Sequence, residues 1–402
     1  MAYTSGSVLT FSGTSGLLQT ILGYIKGTEI SNETVGSGDG STLAFSGTLA
    51  NIPVSKGQCA FRYTVGGTEF TANANGAGTI SGTHIASGSI TYSSGAWSIN
   101  FSTAPDAGST IYADYVSGSD GRDWKVELNR KTRDNLGQEI WPSEDLIEVI
   151  VSNTGDSGDE KVYCGFREWK YVAQNAYGWD LNCYILYNAG LDWNSNSGEH
   201  GRNAYDSDWN HYTEHPIVPL LDDTLYYWVF SDKKRIIIVV KAAGVYESLY
   251  IGHLRRFGSP SQYPYPLIAA GSSFGNIVTS DTSLQHQFFI GVERGASKWG
   301  AWVVDPGNTY KFPESIYFLP YHEFEVGEVA PEKTTNGKIV MTPVYIVNGQ
   351  EGMTYGDFEG VYHIAVDTIQ PEDRLLEGTL YYRVFPNVFR SAYYDYMAIK
   401  EA

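Results

Sequence analysis

The chain has 402 residues, 45 Asp and Glu against 27 Lys and Arg for a net charge of −18, and 30 Tyr, 17 Phe and 10 Trp beside 44 Gly and only 4 Met. Tracking along a phosphate backbone needs a basic stripe that releases counterions, and the longest basic groups are Lys233–Arg235 and Arg255–Arg256, so nucleic acid is excluded as the main partner. An aromatic, glycine-rich and sparsely charged composition favours pleated sheets and tight turns, which predicts a mostly β chain of antiparallel β-sandwich or barrel-like domains.

The amino terminus, MAYTSGSVLTFSG, has no basic segment leading into an apolar run, and no stretch reaches the length of a membrane span. A soluble chain made in a cytoplasm, without membrane insertion, is expected. Cys59, Cys164 and Cys183 are scattered and form no C-x-x-C pair, so reduced, buried thiols are expected instead of a disulfide framework or a zinc site.

Within residues 1–35, LLQTILGYIK at Leu17–Lys26 spaces its apolar residues as a short helix does and stops at Gly27. A helix this short needs a surface to pack on. Leu17, Leu18, Ile21, Leu22, Tyr24 and Ile25 are therefore read as a candidate assembly arm.

Residues 36–118 are rich in Ser, Thr and Gly and poor in charge, with turn clusters GSGDGS, ANGAG and SSG between short β runs. SGSITYSSGAWSINF reads as a hairpin, with Ile90 and Tyr92 on one arm and Trp97, Ile99 and Phe101 on the other alternating with polar residues. Charged, helix-compatible sequence (DWKVELNRKTRDNLG) follows at once, so this segment reads as a small antiparallel β domain inserted ahead of the main body.

In the body, Leu225–Phe230, Arg235–Ala242 and Tyr246–Leu254 read as a meander, and the Ile236–Val240 run, apolar on both faces, as a strand buried in the middle of a sandwich. LLDDTLYYWVF at Leu220–Phe230 returns as LLEGTLYYRVF at Leu375–Phe385. The echo predicts two related β-sandwich halves, 119–275 and 276–402.

The motifs that could carry chemistry lack their context. GSSFG at Gly271–Gly275 fits a nucleophile elbow, but no helix-forming sequence follows the serine. HYTEH at His211–His215 fits H-x-x-E-H, but Pro216 follows and a helix is hard to seat there. The 190–210 stretch carries Asp192, Asn194, Asn196, Glu199, Asp206 and Asp208, yet Gly198 is one place late for an EF-hand turn and the twelfth-position glutamate is missing. No catalytic residue, cofactor or metal ligand is assigned. Trp193, Tyr205, Trp209 and Tyr212 in the same long polar loop form a candidate interaction surface for a sugar or a protein. Tyr263 and Tyr265, in the stiff segment SPSQYPYPL, are added as part of an intersubunit contact or a strap over a core edge.

SGSITYSSGAWSINFSTAPDAGSTIYADY resembles the small β modules of tailed-bacteriophage virion proteins, and YIGHLRRFGSPSQYPYPLIAAGSS, EGVYHI and YYRVFPNVFRS together resemble a group of phage structural proteins. The resemblance implies a non-enzymatic component of the tail, baseplate or neck. Its expected partners are copies of itself and other virion proteins, with a host surface glycan if it takes part in recognition, and its expected locations are the virion and, during assembly, the host cytoplasm. The alternatives are a capsid decoration protein and a carbohydrate-binding or depolymerising β-sandwich.

Overall fold

The computed structural model describes residues 1–9, 16–119, 121–131, 147–170, 179–186, 217–220, 224–242, 245–271, 301–304, 310–311, 316–319, 334–335, 338–348, 352–366, 368–386 and 395–401. Among these the chain is mostly β, in antiparallel sheets of which none closes into a barrel, with one helix near the amino terminus.

The body is a stack of three sheets. The central sheet runs in the order Ala2–Leu9, Thr224–Ser231, Arg235–Ala242, Val245–His253, Leu267–Gly271, Ala301–Val304 and Tyr310–Lys311. Its strand Arg235–Ala242 shows why a middle layer forms. Ile236, Ile238 and Val240 enter one core and Ile237 and Val239 the other, all fully buried, so the period-2 alternation of a strand sends an unbroken apolar run to both faces.

On one face lie the helix Leu17–Ile25 and a back sheet in the order Lys125–Lys131, Ile147–Asn153, Val162–Lys170, Trp179–Leu186, Ile217–Leu220. Leu17, Leu18, Ile21, Leu22 and Ile25 form one helical stripe, and each is at most 5% exposed. Burial of each such side chain is worth about 1.5–3 kcal/mol. The expected assembly arm is thus a plug in the chain's own core, with Tyr24 half-buried beside it. Lys125–Lys131 is a strand and not the helix-compatible run its charges suggested: Val126 and Leu128 alternate with charged residues, and the segment pairs with Ile147–Ser152.

On the other face lies a front sheet in the order Ile316–Leu319, Thr342–Asn348, Met353–Ala365, Asp395–Lys400, Leu380–Pro386, Arg374–Glu377. The strands do not sort into a 119–275 half and a 276–402 half. Ala301–Val304 completes the central sheet beside Leu267–Gly271, whereas Arg255–Arg256 crosses to pair with Gly356 and Asp357 of the front sheet. The first exchange carries Val303 into the core between the central and front sheets, and the second sets Arg255 Nη2 2.6 Å from Asp357 Oδ2.

Residues 28–117 make a sandwich with its own core. A five-stranded sheet (Thr28–Ser37, Thr110–Ser117, Val54–Val65, Thr68–Ala74, Ile80–Ser81) packs on a three-stranded one (Ala44–Thr48, Ala96–Phe101, Ile85–Thr91), with Phe61, Tyr63, Trp97 and Phe101 between them. The Ile85–Thr91 and Ala96–Phe101 arms pair as a hairpin, Thr91 opposite Ala96. The chain enters and leaves this domain side by side: Gly27 N–H donates to Trp124 O at 2.9 Å, and Trp124 N–H donates to Ile25 O at 3.2 Å. No helix among the described residues is long and apolar enough to cross a membrane.

Candidate functional site

The inserted domain is docked on its own body, and Asp123 is the hub of the junction. This fully buried carboxylate accepts from Ser55 Oγ at 2.8 Å and Asn153 Nδ2 at 3.1 Å, and Lys233 Nζ stands 3.7 Å away. The three partners come from the inserted domain, the back sheet and the central sheet, so one charge ties three layers. Next to it, Trp124 donates its indole N–H to Ser231 Oγ and Asp232 O, both at 3.0 Å.

The back-sheet turn at residues 154–160 presses into two loops of the domain. Thr154 Oγ1 donates to Lys56 O, Lys56 Nζ to Asp156 O at 3.3 Å, and Gly76 N–H to Asp159 Oδ1 at 3.0 Å. The backbones meet through glycines: a Cβ on Gly76 would strike the Ser157 carbonyl, and one on Gly57 the Gly158 carbonyl.

Beside this contact a cleft of about 300 Å³ opens between the five-stranded sheet of the domain and the edge of the back sheet. Its floor holds Glu127, which accepts from Ser152 Oγ at 2.7 Å and pairs with Lys125 Nζ at 3.0 Å. Glu29 Oε1 accepts from Val126 N–H at 3.3 Å. Burial, together with the nearby Asp114 and Glu33 carboxylates, pushes the Cys59 thiol up to about 12, so it lines the cleft as an unreactive neutral group. Burial raises the Asp114 carboxyl, but the Arg62 guanidinium, 2.5 Å from Nε to Oδ2, and the Asn32 N–H, 2.7 Å from Oδ1, together outweigh it and hold the group below its ordinary value.

A second polar cluster lies between the central and front sheets. Arg235, 1% exposed, donates to Glu359 Oε2 at 2.6 Å, Asp232 Oδ1 at 3.2 Å and the Tyr250 hydroxyl at 3.4 Å, and that hydroxyl donates to His253 O at 2.7 Å. Burial, with Arg235, Lys234 and Arg256 nearby, pushes the His253 imidazole down to about 3, and its Nε2 has no hydrogen-bond partner among the described residues. Such a group neither delivers nor takes a proton near neutrality; the cluster joins sheets.

Of the sequence-derived candidates, Tyr263 is 1% exposed and packs in the core between the central and front sheets, its ring 6.1 Å from that of Tyr355. It is a strap residue of this chain, and it cannot form an exposed surface. Tyr265, 36% exposed, stays at the surface. Trp193, Tyr205, Trp209 and Tyr212, the HYTEH motif and the acidic positions of the 190–210 stretch lie outside the described residues. Gly271 ends a strand, and the remainder of GSSFG is likewise outside them. Among the described residues no group of three or more His, Cys, Asp or Glu is placed to hold a metal ion. Cys59 and Cys164 are buried in different cores.

Neither a scan of protein-family models nor a search of curated proteins finds a match for this chain.

Proposed function

We propose that the chain is a non-enzymatic structural component of a tailed-bacteriophage particle, in the tail, baseplate or neck, assembling with copies of itself and with other virion proteins. One observation carries the reading. The stretches that resemble phage structural proteins are far apart in sequence, yet Tyr250, Leu254, Tyr263 and Ile268 of the first, Val361 of the second and Phe385 of the third meet in the core between the central and front sheets. The three stretches thus contribute to one core of this chain. The remaining stretch forms the hairpin and last strand of the inserted domain.

The charge arrangement supports the same reading. Asp123, Arg235 and Glu372 each join separate layers, Glu372 through Lys241 Nζ at 2.8 Å and the Tyr246 hydroxyl. Such ties stiffen a body that has to transmit load to its neighbours. Mass spectrometry of density-gradient-purified particles tests the proposal. Peptides of the chain should co-purify with infectivity in a constant ratio to the coat protein; their absence from particles whose coat protein is fully covered would overturn it.

A further inference from the structure

We infer that the cleft between the inserted domain and the back sheet binds a neutral, hydroxyl-rich ligand, a saccharide unit. This does not depend on where the chain assembles. Clefts at domain junctions are favoured ligand sites, and about 300 Å³ stands at the small end of the usual range, enough for one or two sugar rings. Ser31, Asn73 and Lys161 line it, are exposed, and make no side-chain hydrogen bond among the described residues. A hydroxyl, an amide and an ammonium group thus converge on one space with their bonding capacity unused.

Charge selects the ligand class. Glu29, Asp114 and Glu127 face Lys125 and Lys161, and Asp114 is already matched by Arg62. With Arg62 counted, three carboxylates stand against three cations, so the lining carries no net charge to favour a ligand of either sign. An apolar molecule would strand Ser31, Asn73 and Lys161 without partners. Hydroxyl groups, which donate and accept, satisfy amide, ammonium and carboxylate together, while Ile30 and Val116 offer apolar contact to the C–H faces of a ring.

The test is saturation-transfer difference NMR on the full chain with glucose, galactose and N-acetylglucosamine, and with glucose 6-phosphate as the anionic comparison. At least one neutral sugar should receive transfer to its ring protons. Affinity should fall at least about tenfold in the double variant Asn73→Ala, Lys161→Ala, and in Ser31→Trp, which fills the cleft. All three positions are exposed, so the melting temperature should stay at the native value. No transfer to any neutral sugar would overturn the inference, as would transfer that Ser31→Trp leaves unchanged. Preference for glucose 6-phosphate over glucose would overturn the assigned ligand class.

Discussion

Phe230 and Phe385 hold the same place in the two copies of LLxxTLYYxVF, and their rings meet edge to face with centroids 6.2 Å apart and planes at 85°. Each copy lies in a different sheet, and at this one position the repeat packs against its own counterpart across the core between them. The match extends outward: Tyr226 and Tyr381, also equivalent, are both exposed. It fails at Trp228, whose ring packs 5.2 Å from Phe385, while its counterpart Arg383 turns to Glu401 at 2.9 Å.

Truncation at this contact should cost the main unfolding transition far more than truncation at the exposed echo position. Phe385→Ala is expected to lose about 3–5 kcal/mol in urea denaturation. Tyr226→Ala, at the exposed position, should stay within about 0.5 kcal/mol. A double-mutant cycle of Phe230→Ala with Phe385→Ala should return a coupling of about 0.5–1.5 kcal/mol.

Gly76→Ala should undock the inserted domain without unfolding it. The added methyl meets the Ser157 carbonyl of the body, whereas Gly76 is not among the positive-φ glycines, so the local backbone accepts alanine. Hydrogen exchange should quicken at residues 154–160 while the Phe61 and Trp97 core stays protected. Gly66→Ala serves as control: nothing lies within 4 Å of its Cβ, and its φ of +59° leaves only a backbone cost of about 1 kcal/mol.

Asp123→Ala should do more damage than Gly76→Ala, since it strands Lys233 and leaves Ser55 and Asn153 without their acceptor. Breaking a buried ion pair costs about 3–5 kcal/mol. Limited proteolysis should then cut at the neck near residues 26–27 and 118–124, where the native chain resists.

Stability should fall with acidification before the carboxylates titrate. His253 has its folded pKa depressed from 6.5 to about 3, so between those values the unfolded chain binds a proton that the folded chain refuses. Its contribution is fully present above pH 6.5 and is lost as pH drops through that window. Glu359 adds a further loss below its ordinary 4.5: burial raises its carboxyl, but the charge and hydrogen bond of Arg235, with the Lys234 charge, together outweigh burial and lower it overall. Urea denaturation from about pH 7.5 to about pH 4.5 should register a His253 loss of about 3 kcal/mol. His253→Phe, which also removes the unpartnered Nε2, should flatten the profile across that range.

The strands legible in the sequence are those whose alternation or apolar run is complete, such as the Ile85–Phe101 hairpin and Arg235–Ala242. Thr28–Ser37 was hidden because register shifts between Ile30 and Glu33 and between Thr34 and Gly36 break its period of two. Leu267–Gly271 follows the stiff Tyr-Pro run, which masked the point where a strap becomes a buried strand. The cleft had no local signature at all. Glu29, Cys59, Asn73, Asp114, Glu127 and Lys161 reach it from different strands or turns, so only the docking of the domain brings them together. The nearest sequence signal is the turn TGDSGDE, whose Gly155 and Gly158 both have positive φ.

Immunogold electron microscopy of phage particles, with antibodies to the whole chain and to residues 28–117, tests the virion assignment most directly. The account predicts gold at the tail, baseplate or neck with both antibodies. Gold over the head would move the protein to capsid decoration, and particles left unlabelled while their coat protein is labelled would contradict a virion role.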